Sequence, residues 1–339
     1  MDSRYDVVII GAGPGGLVAA SELAEHGVGV VVFERAGEIG PKVCGGALPP
    51  AISEFDVPAD IIDREFSSIT AHTAGRSYQL SLSAPFLYTA DRGRFGQFLL
   101  KRATDNGAEV YAENRVSEIT PSYVVVDGRK VGYRYLIGAD GSHSVVRKFL
   151  GLPVRKLGST LQYVLPREHD SFELFFDARK FGSGIAWIVP HKGRTLVGLG
   201  RDLREARGKS LREICRRWCR QQGIDLTGAQ VESWPINYDY RGWHFGNVFL
   251  VGDAGGFASG LTGEGIYAAM VSGREAARKI IDPAHAAKDI DQVLKKKRGQ
   301  ERLVSIMQAN LPALGIYYRV LLNLSRYGWL TKRYVDYFF

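Results

Sequence analysis

Val7-Val8-Ile9-Ile10-Gly11-Ala12-Gly13-Pro14-Gly15-Gly16 is the stretch that decides the fold. Four apolar β-formers run into a glycine-rich turn, residues 17–26 have helix-forming composition, and a second apolar run over 28–34 ends on Glu34. The order is strand, tight turn, helix, strand. In such a unit Gly11 lets the chain turn sharply, Gly13 lets the backbone approach a pyrophosphate, and Gly16 lets the helix pack closely on the strand. Free N–H groups at the helix start, with the helix dipole, hold phosphates. Glu34 follows the glycines by about 20 residues, where a carboxylate accepts ribose hydroxyls. The stretch reads as a dinucleotide site; an ordinary βαβ unit with a glycine-rich turn is the plainer alternative.

The chain has 339 residues, room for two domains or for one large domain with an insertion. A formal charge of +8 suits an anionic membrane surface, an acidic cofactor or an acidic protein partner. No nucleic-acid-binding signature accompanies it. Three cysteines, Cys44, Cys215 and Cys219, are too few and too uneven for a disulfide framework and point to a reducing, cytoplasmic compartment. Cys215 and Cys219 lie one helical turn apart and read as packing residues, so no metal site is expected. No apolar run reaches the roughly 18 residues of a membrane span, and no signal peptide is expected because the N-terminus opens on a strand.

The strand-to-acid ending recurs twice. Tyr135-Leu136-Ile137-Gly138-Ala139-Asp140-Gly141 precedes a helix-like run over 142–150, and Asn247-Val248-Phe249-Leu250-Val251-Gly252-Asp253-Ala254 leads to a helix over 265–281. Strand ends of a doubly wound sheet face the ligand crevice. Between these units lies other material: a Gly/Pro-rich loop over 36–50, alternating strands over 66–90, a helix over 95–106 after Asp91-Arg92, and short strands near 109–113 and 123–126. A sheet-rich block with a basic helix over 211–222 reads as an insertion. From Asp289 the chain is helical and basic, with an aromatic tail. The expected organisation is a dinucleotide-binding domain over 1–65, 91–151 and 241–285, a sheet domain over 66–90 and 152–240, and a helical segment over 286–339.

With those residues in hand, the chain resembles the flavoprotein group that includes the aromatic hydroxylases and geranylgeranyl reductases. Gly138-Ala139-Asp140-Gly141-Ser142-His143-Ser144-Val145-Val146-Arg147 is similar to its second fingerprint. Phe249-Leu250-Val251-Gly252-Asp253-Ala254 is similar to the third, in which the acid holds the ribityl chain of FAD. Two features resemble the geranylgeranyl reductase branch: Pro41-Lys42-Val43-Cys44-Gly45-Gly46, and Ala186-Trp187-Ile188-Val189-Pro190 followed by Val197-Gly198-Leu199-Gly200. Ala186, Gly96 and a short chain depart from the pattern.

The resemblance implies a p-hydroxybenzoate-hydroxylase-like α/β fold: a Rossmann-type FAD-binding domain, an inserted antiparallel-sheet substrate domain and a helical C-terminus. It implies FAD contacts at Gly11, Gly13, Pro14, Gly16, Glu34, Arg35, Cys44, Gly45, Arg92, Val116, Asp140, Gly252, Asp253, Gly263, Gly265 and Ile266. Helix N-terminal N–H groups after Thr262 would stabilise negative charge on a reduced flavin. Cys44, or an ordered water, is the candidate proton donor, and His143 reads as a surface turn residue. Trp187 and Phe176, with Phe172 and Phe175, are candidates for an apolar substrate tunnel, with ordinary sheet core as the alternative.

The implied activity is saturation of carbon–carbon double bonds in an isoprenoid (geranylgeranyl) chain, on a lipid or prenyl diphosphate, by hydride transfer from reduced flavin. An aromatic monooxygenase, a reductase of conjugated ketones or quinones, and a non-enzymatic flavin-bound membrane module remain as alternatives. NAD(P)H or reduced ferredoxin would supply electrons. The tyrosines 317, 318, 327, 334 and 337 with Trp329, interspersed with Arg319, Arg326, Lys332 and Arg333, fit a peripheral membrane-surface segment or a helix docked on the protein.

Overall fold

The computed structural model describes residues 3–205, 210–324 and 328–338. Its first sheet has eight strands. Along the main path these are His244–Phe245, Val248–Leu250, Arg129–Gly138, Ser3–Ile10, Val30–Phe33 and Glu109–Tyr111, with Tyr123–Val126 and Val116–Ile119 added as an antiparallel ribbon. From Val248–Leu250 to Glu109–Tyr111 the pairing is parallel. Val7, Val8, Ile9, Val31 and Val32 are all buried, as continuous apolar strands covered on both faces require. Ile10 stands beside Gly138, and Gly138 beside Leu250. All three glycine-and-acid ends therefore leave the sheet at one edge.

The helices Pro14–Glu25 and Ile266–Ile281 cover one face of this sheet with Leu17, Ala20, Leu23, Met270 and Ala277. They meet so closely that a Cβ on Gly273 would overlap the Gly15 carbonyl. On Ile266–Ile281 the residues buried on this side include Ala269, Met270, Gly273 and Ala277, at helical spacing.

The second sheet has seven strands in the order Gln230–Asn237, Leu157–Leu165, Arg194–Asp202, Ile185–His191, Glu173–Phe176, Ser68–Thr73 and Arg76–Ser81. The helix Leu211–Gln221 covers one face. Its Cys215, Trp218 and Cys219 are buried against Leu161, Val197 and Leu199, so both cysteines pack. The strand run over 66–90 divides between two sheets. After Arg76–Ser81 the Ser83-Ala84-Pro85 break ends the hairpin, since proline offers no N–H to a ladder. Leu87–Ala90 then pairs with Ala47–Leu48 and Ile62–Phe66 in a separate three-stranded sheet. The ribbon strand Val116–Ile119 carried no sequence signal, being short and half exposed.

The C-terminal helices are Lys288–Ala309, Leu314–Leu324 and Gly328–Phe338. Leu322 and Val335 join the cluster of Phe66, Ile69, Phe172 and Leu196 on the uncovered face of the second sheet, and Leu314 and Tyr318 pack on Val304 and Met307. Of the two readings of the aromatic tail, docking on the protein describes this inner face. Arg326 and Tyr327 lie outside the described residues, as does the Trp329 side chain. Among the described residues no helix is long and apolar enough to cross a membrane.

Candidate cofactor and substrate site

The first turn is built by backbone. Gly11 has φ +102°, and a Cβ there would overlap the Ala139 carbonyl; a Cβ on Gly16 would overlap the Gly11 carbonyl. Gly16 is thus a packing residue and does not line the cleft. A Cβ on Gly13 would meet only the Ala139 oxygen, at 3.7 Å, so the space before this turn is open to a ligand. Glu34 is fixed by two backbone donors: Ala12 N–H to Oε2 at 2.8 Å and Ala36 N–H to Oε1 at 2.9 Å. Gly11, Gly13, Pro14, Glu34, Arg35, Val116 and Asp140 line one cavity of about 920 Å³. Arg35 lies over the Trp234 ring.

At the second fingerprint Asp140 Oδ2 accepts the N–H groups of Val145, at 2.6 Å, and Val146, at 3.3 Å, tying the short helix Val145–Phe149 to the strand end. Its Oδ1 is buried without a hydrogen-bond partner among the described residues, and burial raises its pKa. His143 is exposed, with its ring edge-on to Trp234, consistent with a turn residue. At the third fingerprint Asp253 Oδ2 receives Ser142 Oγ at 3.2 Å and Lys42 Nζ at 3.4 Å. A Cβ on Gly265 would stand 3.1 Å from Asp253 Oδ1, so glycine there leaves that oxygen free for a ligand.

Arg92 opens the helix Arg92–Asp105, whose N-cap Asp91 accepts the Arg94 N–H. The resemblance sets Arg92 against FAD; Arg92 is buried, and among the described residues its Nε and Nη1 have no partner. Burial lowers its pKa, while nearby Cys44, Asp91 and Asp253 oppose that shift. An unpartnered buried guanidinium is costly unless something fills its donor positions. Arg92 faces the seam between the two cavities, so an anionic or polyhydroxyl group in the cleft would fill them. Together with the open space at Gly13 and the bare oxygen of Asp253, this fits FAD laid along the three strand ends.

Cys44 also sits at that seam. Its Sγ accepts the Gly46 N–H at 3.4 Å, and its carbonyl accepts Gln162 Nε2 at 3.2 Å. The loop is held from behind by a residue that no local motif singles out. His191 is buried, with Nε2 at 3.0 Å from the Gly45 carbonyl and Nδ1 at 2.8 Å from Asp63 Oδ2. Asp63 also pairs with Arg94. A Cβ on Gly46 would stand 2.7 Å from His191 Cε1, which accounts for the second glycine of the loop.

The second cavity, about 300 Å³, runs from Cys44 and Gly45, past Gly252, Asp253, Gly263, Gly265 and Ile266, to the C-terminal helices. Its far wall is Phe172, Leu174, Phe176, Trp187, Val189 and Leu322. Phe175 does not join them. Residues alternate across Glu173–Phe176, so Leu174 and Phe176 face the cavity while Phe175 faces the helix Leu211–Gln221, with its ring 5.1 Å from Trp218. Among the described residues, Trp187 Nε1 and Tyr318 Oη are buried without partners. Glu264 borders the cavity at the flavin end; among the described residues its buried Oε1 has no partner, and burial pushes its carboxyl up to about 8.

Comparison with known proteins places this arrangement. Residues 61–296 match the FAD binding domain family, and residues 9–69 an NAD(P)-binding Rossmann-like domain. The chain is an FAD-dependent oxidoreductase. It is 30% identical to the geranylgeranyl diphosphate reductase of Rhodobacter capsulatus over 298 residues, covering 81% of this chain and 74% of that one. It is 29% identical to the digeranylgeranylglycerophospholipid reductase of Methanocaldococcus jannaschii, covering 80% and 76%. The chain belongs to the geranylgeranyl reductase family. The fold agrees: a geranylgeranyl bacteriochlorophyll reductase-like protein of Thermoplasma acidophilum superposes with TM-score 0.77 at 21% identity, covering 99% of both chains. A probable FAD-dependent monooxygenase of Pseudomonas aeruginosa gives 0.70 at 21%, covering 92% and 97%. The p-hydroxybenzoate-hydroxylase-like layout thus corresponds to the fold expected from sequence.

Proposed function

We propose that the chain saturates carbon–carbon double bonds of an isoprenoid chain carried by a lipid or prenyl diphosphate. The observation that carries this reading is the apolar cavity, whose far wall is aromatic and aliphatic and whose near end is the Cys44-Gly45 loop. The names of the relatives agree with it. FAD, when reduced, supplies the hydride that one carbon of the double bond receives.

The protein's residues do the rest. Gly11, Gly13, Pro14, Glu34, Arg35, Val116, Asp140 and Arg92 hold the dinucleotide, and Gly252, Asp253, Gly263, Gly265 and Ile266 border the flavin end. Trp187 and Phe176 hold the chain by apolar contact and exclude water. Cys44 delivers the proton to the second carbon, or orders the water that does. His191 and Asp63 keep the Cys44 loop in place. Electrons come from NAD(P)H or a reduced ferredoxin-type protein, for which the basic surface is suited. The protein works in the cytoplasm at a membrane surface.

The test is anaerobic. The purified protein is reduced and given a polyprenyl lipid extract, and the lipid is analysed by mass spectrometry. Each saturated bond adds two hydrogens. Unchanged lipid, with oxygen incorporated into an aromatic compound on admission of air, would replace the reductase by a monooxygenase.

A further inference from the structure

The helix Leu314–Leu324 is apolar on nearly every side, with Arg319 its one charged residue. Its inner face is accounted for by Leu314, Tyr318 and Leu322, which are buried, and by Tyr318, Leu321 and Leu322 on the cavity wall. The outer face is apolar too, and the described residues leave it uncovered. Ile316 is 61% exposed, Val320 54% and Leu324 39%, at successive helical turns, with Tyr317 beside them at 40%. A helix that is hydrophobic all round belongs in apolar surroundings on all sides.

Along the chain, the residues on either side of that helix carry charge of one sign. Residues 302–335 contain Arg302, Arg319, Arg326, Lys332 and Arg333 and no aspartate or glutamate. Arg302, Arg319, Lys332 and Arg333 are exposed. An apolar ridge among cations complements a bilayer interface with anionic headgroups: the ridge enters the acyl boundary and the cations stay at headgroup level. A soluble acidic protein would match the cations but leave the ridge against a polar surface.

We propose that the outer face of this helix docks on an anionic lipid bilayer. The wall of the substrate cavity then rests on the membrane, and an isoprenoid chain crosses from the acyl layer into the cavity past a single helix. The purpose of the contact rests on the reductase reading; the contact itself does not need turnover and is measured without it.

The FAD-loaded full chain is sedimented with vesicles of phosphatidylcholine alone and of phosphatidylcholine mixed with phosphatidylglycerol, with neither reductant nor substrate. The wild type is expected to pellet with the mixed vesicles, tenfold or more in excess of the neutral ones, and to be released by high salt. The Ile316→Glu/Val320→Glu variant is expected to lose tenfold or more of that binding, while FAD content, melting temperature and turnover of a detergent-dispersed isoprenoid stay as in wild type. If that variant fails to retain FAD, the milder Arg319→Gln/Lys332→Gln variant replaces it and is expected to lose most of the preference for anionic vesicles. Wild type remaining in the supernatant, or a folded variant pelleting like wild type, would overturn the proposal. Light scattering that shows a wild-type dimer and a monomeric variant would give the face to a second copy of the chain. Vesicle binding without alkene reduction would keep the face and remove the reductase reading; the reverse result would remove only the face.

Discussion

The two halves of the cleft are made on opposite principles. The dinucleotide half is backbone: glycines that allow close approach, helix N-termini, and acids whose positions are fixed by N–H donors, as Glu34 is by Ala12 and Ala36. The substrate half is side chain: Phe172, Phe176, Trp187, Val189 and Leu322 around a space with few polar atoms. Backbone recognition needs particular residues at particular spacings and is intolerant of change. An apolar wall needs only volume and shape, so single changes there alter which chain fits before they abolish the fold. Substitutions in the two halves should therefore fail differently.

The largest effect is expected at Gly13. Because a Cβ there would meet only one atom, at 3.7 Å, Gly13→Asp should fold, yet its carboxylate would repel the pyrophosphate. The purified variant should be colourless, with an FAD-to-protein ratio near zero; a fully loaded yellow variant would break the contrast at its root. Cys44→Ser comes next. It should retain FAD, because the change is nearly isosteric, and slow alkene saturation by roughly 10²–10⁴-fold, the range for lost acid–base catalysis. Full activity in both Cys44→Ser and Cys44→Ala would leave an ordered water as the donor.

Asp253→Ala should weaken FAD by about 1–3 kcal/mol through a lost hydrogen bond to a charged group, measured as a dissociation constant. The last effect is a pH dependence and concerns Glu264, at the flavin end of the apolar cavity. Its folded-state pKa of about 8 lies above the ordinary 4.5, so its contribution to stability is fully present below the unfolded value and is lost as pH rises through 8. Between those values wild type should lose up to about 1.4 kcal/mol per pH unit relative to Glu264→Gln. Parallel denaturation midpoints across that range would show that Glu264 does not titrate in this way.

The same contrast explains what the sequence made legible. Val7 to Gly16, Gly138 to Gly141 and Gly252-Asp253 are local patterns, because a strand, its turn and the following helix are contiguous in the chain. Their meeting at one sheet edge follows from the parallel order alone. The Cys44 loop could be found by resemblance, but its support could not: His191 reaches Gly45 from 146 positions away and Asp63 from 128, and no spacing announces such a pairing. The wall of the second cavity was half legible. Trp187, Phe172 and Phe176 were candidates, but which of two adjacent phenylalanines faces inward depends on strand register, and Phe175 turned out to face the helix behind the sheet. Arg92 could be picked by resemblance as an FAD contact, but its burial and its unfilled donor positions, which no local pattern shows, are visible only in the fold.

The most direct test of the central claim, that the apolar half receives an isoprenoid chain for reduction, is the anaerobic reoxidation rate of the reduced flavin. Geranylgeranyl substrates should restore the oxidised absorbance within turnover time, and fully saturated chains of equal length should leave it reduced. A flavin that stays reduced with every unsaturated isoprenoid, and reoxidises only when oxygen and an aromatic compound are admitted together, would contradict the account.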